Sequence, residues 1–171
     1  MQNVTAVKRT VVPFVSPVMA VHARLVAWDL SVVKKHAVEQ GLYPVSEIDR
    51  VEAEYKKWLA LAIATDEGIP ISMEIDPLWH DHIIFTEDYT RMGLEVAGRY
   101  IHHRPAVLDD EKALRRGYAQ LTLSLYRENF GEPDPKYWGH VVCKCDGRCG
   151  HVSSELTTAF PSPEHIERVS T

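Results

Sequence analysis

Apolar residues recur at helical spacing through most of the chain, and the periodicity predicts four amphipathic helices. The first begins at Arg24. Val26, Leu30, Val33 and Ala37 form its stripe, Lys34 and Lys35 stand outside, and Gly41 stops the pattern. The second opens at Ser46, with Asp49 placed as in a capping box, and carries Val51, Tyr55, Trp58 and Ala62 as its apolar stripe. It ends before Asp66-Glu67-Gly68, and Pro70 keeps it ended. Residues 71–75 alternate apolar and polar and read as a short extended segment. The third helix then starts at Asp76-Pro77, Asp as N-cap and Pro at the first helical position. The fourth begins near Asp109-Asp110, acids that suit a helix N-terminus, and would bury Leu114, Tyr118, Leu121 and Leu125.

The stretches outside these helices complete the plan. Residues 1–22 are rich in Val and Thr with prolines at 13 and 17, which suits an extended arm. Gly131-Glu132-Pro133-Asp134-Pro135 breaks the chain ahead of a Cys-rich loop, and Pro161-Ser162-Pro163 reads as loop. No internal repeat is visible. The expected fold is all-α, a compact bundle of about four helices in one domain over 1–171. Its parts are the N-terminal arm (1–22), the helical core (24–138) and a Cys/His knot with its tail (139–171).

Composition narrows the function classes. At 171 residues, 45% hydrophobic and 25% charged, the chain has enough apolar residues to build one core. No apolar run approaches the roughly 20 residues of a membrane helix, so no membrane partner is expected. The N-terminus lacks a compact apolar region behind a basic start, so the expected location is cytoplasmic without a signal peptide. A formal charge of -5 argues against nonspecific nucleic-acid binding. The expected partner is a protein or a small molecule. Three cysteines cannot all pair within the chain and read as thiols or metal ligands.

The candidate chemistry centres on residues 76–105. This stretch holds four of the nine histidines, His80 and His82 at its head and His102 and His103 at its tail. Imidazole is the commonest biological metal ligand and titrates near neutral pH. On a helix, residues two apart point about 200° apart, so His80 and His82 cannot easily share one ion. His82 falls with Leu78, Phe85, Tyr89 and Met92, facing the core, and His80 falls with Ile84, Glu87 and Arg91. Asp76 and His80 share a face. A metal site therefore needs His102 or His103 to fold back, which Gly93 and Gly98 would permit. The competing expectation is a core His82 with a buried hydrogen-bond partner, and His102 and His103 closing the helix end.

These residues also carry a family resemblance. Asp76, Trp79, His80 and His82, then Tyr89, Gly98, His102-His103 and Pro105, resemble the glycine-rich domain-containing protein-like family in its small bacterial form. The match continues through Tyr118, Thr122, Tyr126, Phe130-Gly131-Glu132-Pro133 and Trp138, and covers residues 71–138. The resemblance implies a helical domain with His80, His82 and His102 in a shared structural or ligand-binding centre. It implies no particular reaction. The plant members are larger and carry glycine-rich segments that this chain lacks.

Beyond the match, Cys143, Cys145, Cys149 and His151 lie within nine residues, with His140 just before. Three thiolates and an imidazole make a legitimate tetrahedral zinc set, and Gly147 and Gly150 would allow the wrap. Iron–sulfur binding normally wants four thiolates. The competing expectation is a loop with free thiols or one reversible disulfide.

The chain has no phosphate-cradling Gly-rich loop, G-x-S-x-G elbow or H-E-x-x-H pair. Three readings remain. The first is a metal-binding protein with a central site from His80, His82, His102 and His103 and a clasp from Cys143, Cys145, Cys149 and His151. Zn2+ is the expected ion, with iron an alternative at the histidines. The second is an interaction module with structural histidines. The third is a metal-dependent enzyme with one open coordination position.

Overall fold

The computed structural model describes residues 16–65, 69–105 and 116–140 and the strand 150–152, with backbone alone at 104–105 and 150–152. Helix dominates these residues. The first helix, α1 (Pro17–Val26), starts on Ser16, whose hydroxyl accepts the Met19 amide at 3.1 Å, with Pro17 in the first turn. The extended arm expected over 1–22 therefore gives way to helix at residue 17, because a Ser-Pro pair starts a helix as well as it breaks one. Residues 1–15 lie outside the described residues.

The single helix expected from Arg24 is two. Between α1 and α2 (Ser31–Glu39), Asp29 accepts the Ser31 amide at 2.9 Å, and the Lys56 ammonium donates to the Trp28 carbonyl at 2.7 Å. These bonds satisfy backbone groups that an uninterrupted helix would pair internally. Helix α3 (Ile48–Thr65) keeps the expected stripe and end but starts at Ile48, two residues after the expected Ser46 cap, and is the axis of the molecule, burying Val51, Tyr55, Trp58 and the run Leu59–Ala62. Its length and the apolar run of its second half, Trp58 to Ala62, suit an element enclosed by neighbours.

Residues 71–75 are mostly turn, and Met73 donates its amide to the His140 carbonyl at 3.0 Å. Helix α4 (Asp76–Ile84) keeps Pro77 in its first turn, but Asp76 is its first residue rather than its cap. The expected third helix breaks at Phe85. It resumes as α5 (Thr86–Met92) and widens into a π-helical turn, Gly93–Ala97. Gly98 closes that turn at φ 72°, a left-handed cap that glycine adopts without steric cost. The Arg24 guanidinium reaches from α1 to the carbonyls of Glu95 and Val96.

The expected fourth helix begins in residues outside those described. Its described part is a π-helical turn, Tyr118–Thr122, running into α6 (Leu123–Phe130), and the short α7 (Pro135–Trp138), capped by Asp134, comes next. The buried stripe is Tyr118, Thr122 and Tyr126, with Leu121 and Leu125 packed only partly against the core. Buried Glu54 explains the shift. It accepts the Tyr126 hydroxyl at 2.7 Å and the Trp138 indole N–H at 3.0 Å, so the polar-tipped aromatics turn inward towards α3.

Helices α1, α2, α4 and α6 all contact α3. A two-stranded antiparallel pair, β1 (His103–Pro105) with β2 (Gly150–Val152), sets His103 opposite Val152, Arg104 opposite His151 and Pro105 opposite Gly150. Among the described residues no helix is long and apolar enough to cross a membrane.

Candidate histidine centre

The two histidines of α4 diverge, as their spacing requires. His82 is 1% exposed. Its Nδ1 lies 2.9 Å from the Tyr55 hydroxyl and its Nε2 3.1 Å from Asp88 Oδ2. A neutral ring satisfies both contacts: the Tyr55 O–H donates to Nδ1, and Nε2–H donates to the carboxylate. Burial pushes the imidazole below its ordinary pKa, against the pull of Asp88. Burial also opposes ionisation of Asp88, but hydrogen bonds from Arg91, Trp28 and His82 outweigh it and hold that carboxyl below the usual range.

Tyr–His–Asp is a set that catalysis uses elsewhere, but Tyr55 is wholly buried and burial raises its pKa well above normal. No reactant reaches it. The trio joins α3, α4 and α5 as a core hydrogen-bond network. This agrees with the expectation of a core His82 with a buried partner.

His80 faces the other way. Its Nδ1 lies 3.0 Å from the Asp76 carbonyl and 3.2 Å from the Asp76 carboxylate, the i,i+4 pairing legible in the sequence. The His103 ring returns to it edge-on, with centroids 4.7 Å apart. Trp79 fixes this return. Its indole packs 4.7 Å from His103, and its N–H donates to the Tyr89 hydroxyl, which donates to the Ile101 carbonyl, each at 3.0 Å. The π-helical turn and Gly98 reverse the chain just before that point, and this is the fold-back that Gly93 and Gly98 permit.

His102 takes a different course and stacks edge-on against Tyr100 at 4.9 Å. Of the four candidate histidines, then, His80 and His103 come together, while His82 and His102 point elsewhere. Among the described residues no group of three or more His, Cys, Asp or Glu side chains is arranged to hold a metal ion. Cys143, Cys145 and Cys149 lie outside the described residues, and His151 is described only as backbone opposite Arg104.

Some polar pairs are not legible in the sequence. His36 on α2 pairs with Asp81 on α4 at 2.8 Å, and His140 with Glu74 at 2.7 Å. Asp81 has only its position between two histidines to mark it, and the partner of His36 lies on another helix. Burial raises the Asp76 carboxyl pKa, against the hydrogen bond and positive charge offered by His80. No family model, curated protein or solved structure matches the chain.

Proposed function

We propose that the protein binds a transition-metal ion, zinc first and iron as the alternative, at a centre built on His80 and His103. One observation carries the reading: His80 Nδ1 is held by Asp76 while a second imidazole from a distant part of the chain packs against the same ring. A carboxylate or carbonyl on one ring nitrogen is how proteins orient a ligating histidine, fixing the tautomer and directing the other nitrogen to the metal. Two imidazoles alone make an incomplete tetrahedral set.

Connectivity supports drawing the remaining ligands from Cys143, Cys145, Cys149 and His151. Gly150 follows Cys149 directly in sequence, and it pairs with Pro105 in the strand that begins at His103. His82, with both ring nitrogens engaged, belongs to the core in this reading. The proposal places the chain with the small bacterial form of the glycine-rich domain-containing protein-like family, as a cytoplasmic binding protein.

A second reading, an interaction module whose histidines are structural, draws support from His82 and its two hydrogen bonds. Metal content by mass spectrometry, on tag-free protein purified without chelator, separates the two. About one equivalent of metal in the wild type, lost in His80→Ala/His103→Ala and kept in His102→Ala, is expected. Metal-free wild type would favour the interaction module, and equal loading of the double variant would put the metal on the cysteine knot instead of the histidines.

A further inference from the structure

A groove of about 600 Å³ runs between α2 and α4, on the side of α4 away from His82. Asp76, Asp81 and Ile84 line it from α4, His36 and Gln40 from α2, and Leu42 from the turn beyond. Its volume lies within the range of small-molecule sites. Among the described residues neither lysine nor arginine contributes to its wall.

Each carboxylate in the wall has one oxygen engaged by a histidine: Asp76 Oδ2 by His80 and Asp81 Oδ1 by His36. The other oxygens, Asp76 Oδ1 and Asp81 Oδ2, are buried and accept no hydrogen bond among the described residues. Both aspartates are only 6% exposed. A buried carboxylate oxygen without a donor is costly, and with both residues in the wall of one groove a small turn of either side chain towards it would let these oxygens accept a donor from outside. Leu42 and Ile84, 41% and 62% exposed, give the same groove an apolar lip.

We infer that this groove binds an aliphatic organic cation, an alkylammonium or alkylguanidinium, with its head between Asp76 and Asp81 and its chain against Leu42 and Ile84. An ammonium brings three donors and a guanidinium five, enough to satisfy both oxygens. Charge-assisted hydrogen bonds to desolvated carboxylates are the strong ones. The paired histidines hold the carboxylates in place, and the apolar lip sets the preference for a ligand with an alkyl stem. His36 is itself steadied by edge-on contact with Phe85 at 5.4 Å. The groove borders the proposed metal centre, sharing Asp76 and His80 with it, and differs from it in its chemistry and in Asp81, His36 and Ile84, none of which that centre uses.

The test is a titration of the full chain with n-butylammonium, n-butylguanidinium and neutral n-butanol, followed by the ring-proton NMR signals of His36 and by calorimetry. Saturable binding of the two cations at roughly millimolar concentration, as suits ligands of so few atoms, and none of butanol, is expected. Asp81→Asn, close in shape, should weaken it about tenfold or more. Ile84→Lys, at an exposed position that leaves the core untouched, should also weaken it by setting a competing ammonium at the lip. A blocked lysine peptide distinguishes the source: binding as tight as butylammonium means a side chain of another protein, and binding of the free amine alone means a small metabolite. Equal response to butanol, no saturable response to either cation, or full affinity in both variants would overturn the inference. Metal loading measured on the same samples keeps this outcome distinct from that of the metal centre.

Discussion

The His103 imidazole meets that of His80 edge-on, centroids 4.7 Å apart, although His80 lies within a helix and His103 opens a strand. Nothing local brings them together. The return depends on the reversal through the π-helical turn and on the Trp79–Tyr89–Ile101 hydrogen-bond chain.

Gly93→Ala should loosen that return. A Cβ built on Gly93 would stand 2.8 Å from the Arg99 carbonyl oxygen, a backbone atom that cannot swing away. The expected loss is about 1–3 kcal/mol of stability, by analogy with overpacked cores. Urea unfolding of the variant beside the wild type measures it, and an unchanged midpoint would show that the turn adapts.

Glu54 is the polar hinge of the core. Besides Tyr126 and Trp138 it accepts Lys57 at 3.1 Å, and the half-exposed Arg50 lies 3.2 Å away. Glu54→Ala should cost about 3–5 kcal/mol, because it strands buried donors and a cation. Tyr126→Phe, which removes one hydroxyl, should cost nearer ~1 kcal/mol. Denaturant curves measure both, and similar losses in the two variants would count against a network centred on the carboxylate.

Acid should destabilise the fold through His82. Burial lowers its pKa in the folded state from 6.5, so the unfolded chain takes up the proton first. Stability is then full above about pH 6.5 and falls as pH drops below it. His22, lowered by burial and by Lys57 and Lys56, acts with the same sign. The raised Asp76 carboxyl acts oppositely, its contribution full below 3.8 and lost as pH rises through its folded value. Between pH 7.5 and 5.5 the unfolding midpoint should fall for the wild type and fall less for His82→Gln. A midpoint that rises on acidification would contradict the buried neutral ring.

Local patterns make part of this fold legible. The stripe of α3 and the Asp76-Pro77 helix start are written in residues a few positions apart, and so is the divergence of His80 from His82. The split between α1 and α2 is hidden because Val26 and Leu30 keep helical spacing across the join, while the side chain of Asp29 interrupts the backbone. The inward turn of Tyr126 is hidden because its partner, Glu54, lies on another helix and reads as a surface acid. The choice of His103 over His102 is equally out of reach: the two are adjacent in the chain and are distinguished by the packing of Trp79 and Tyr100.

Whether His80 and His103 ligate a metal through their imidazoles is read from X-ray absorption at the zinc edge of the loaded protein. Nitrogen scattering at ~2.0–2.1 Å with the outer-shell signature of imidazole is expected, joined by sulfur at ~2.3 Å where the cysteines complete the set. The imidazole signal should vanish in His80→Ala/His103→Ala. An all-sulfur shell, or imidazole scattering unchanged in that variant, would contradict such ligation.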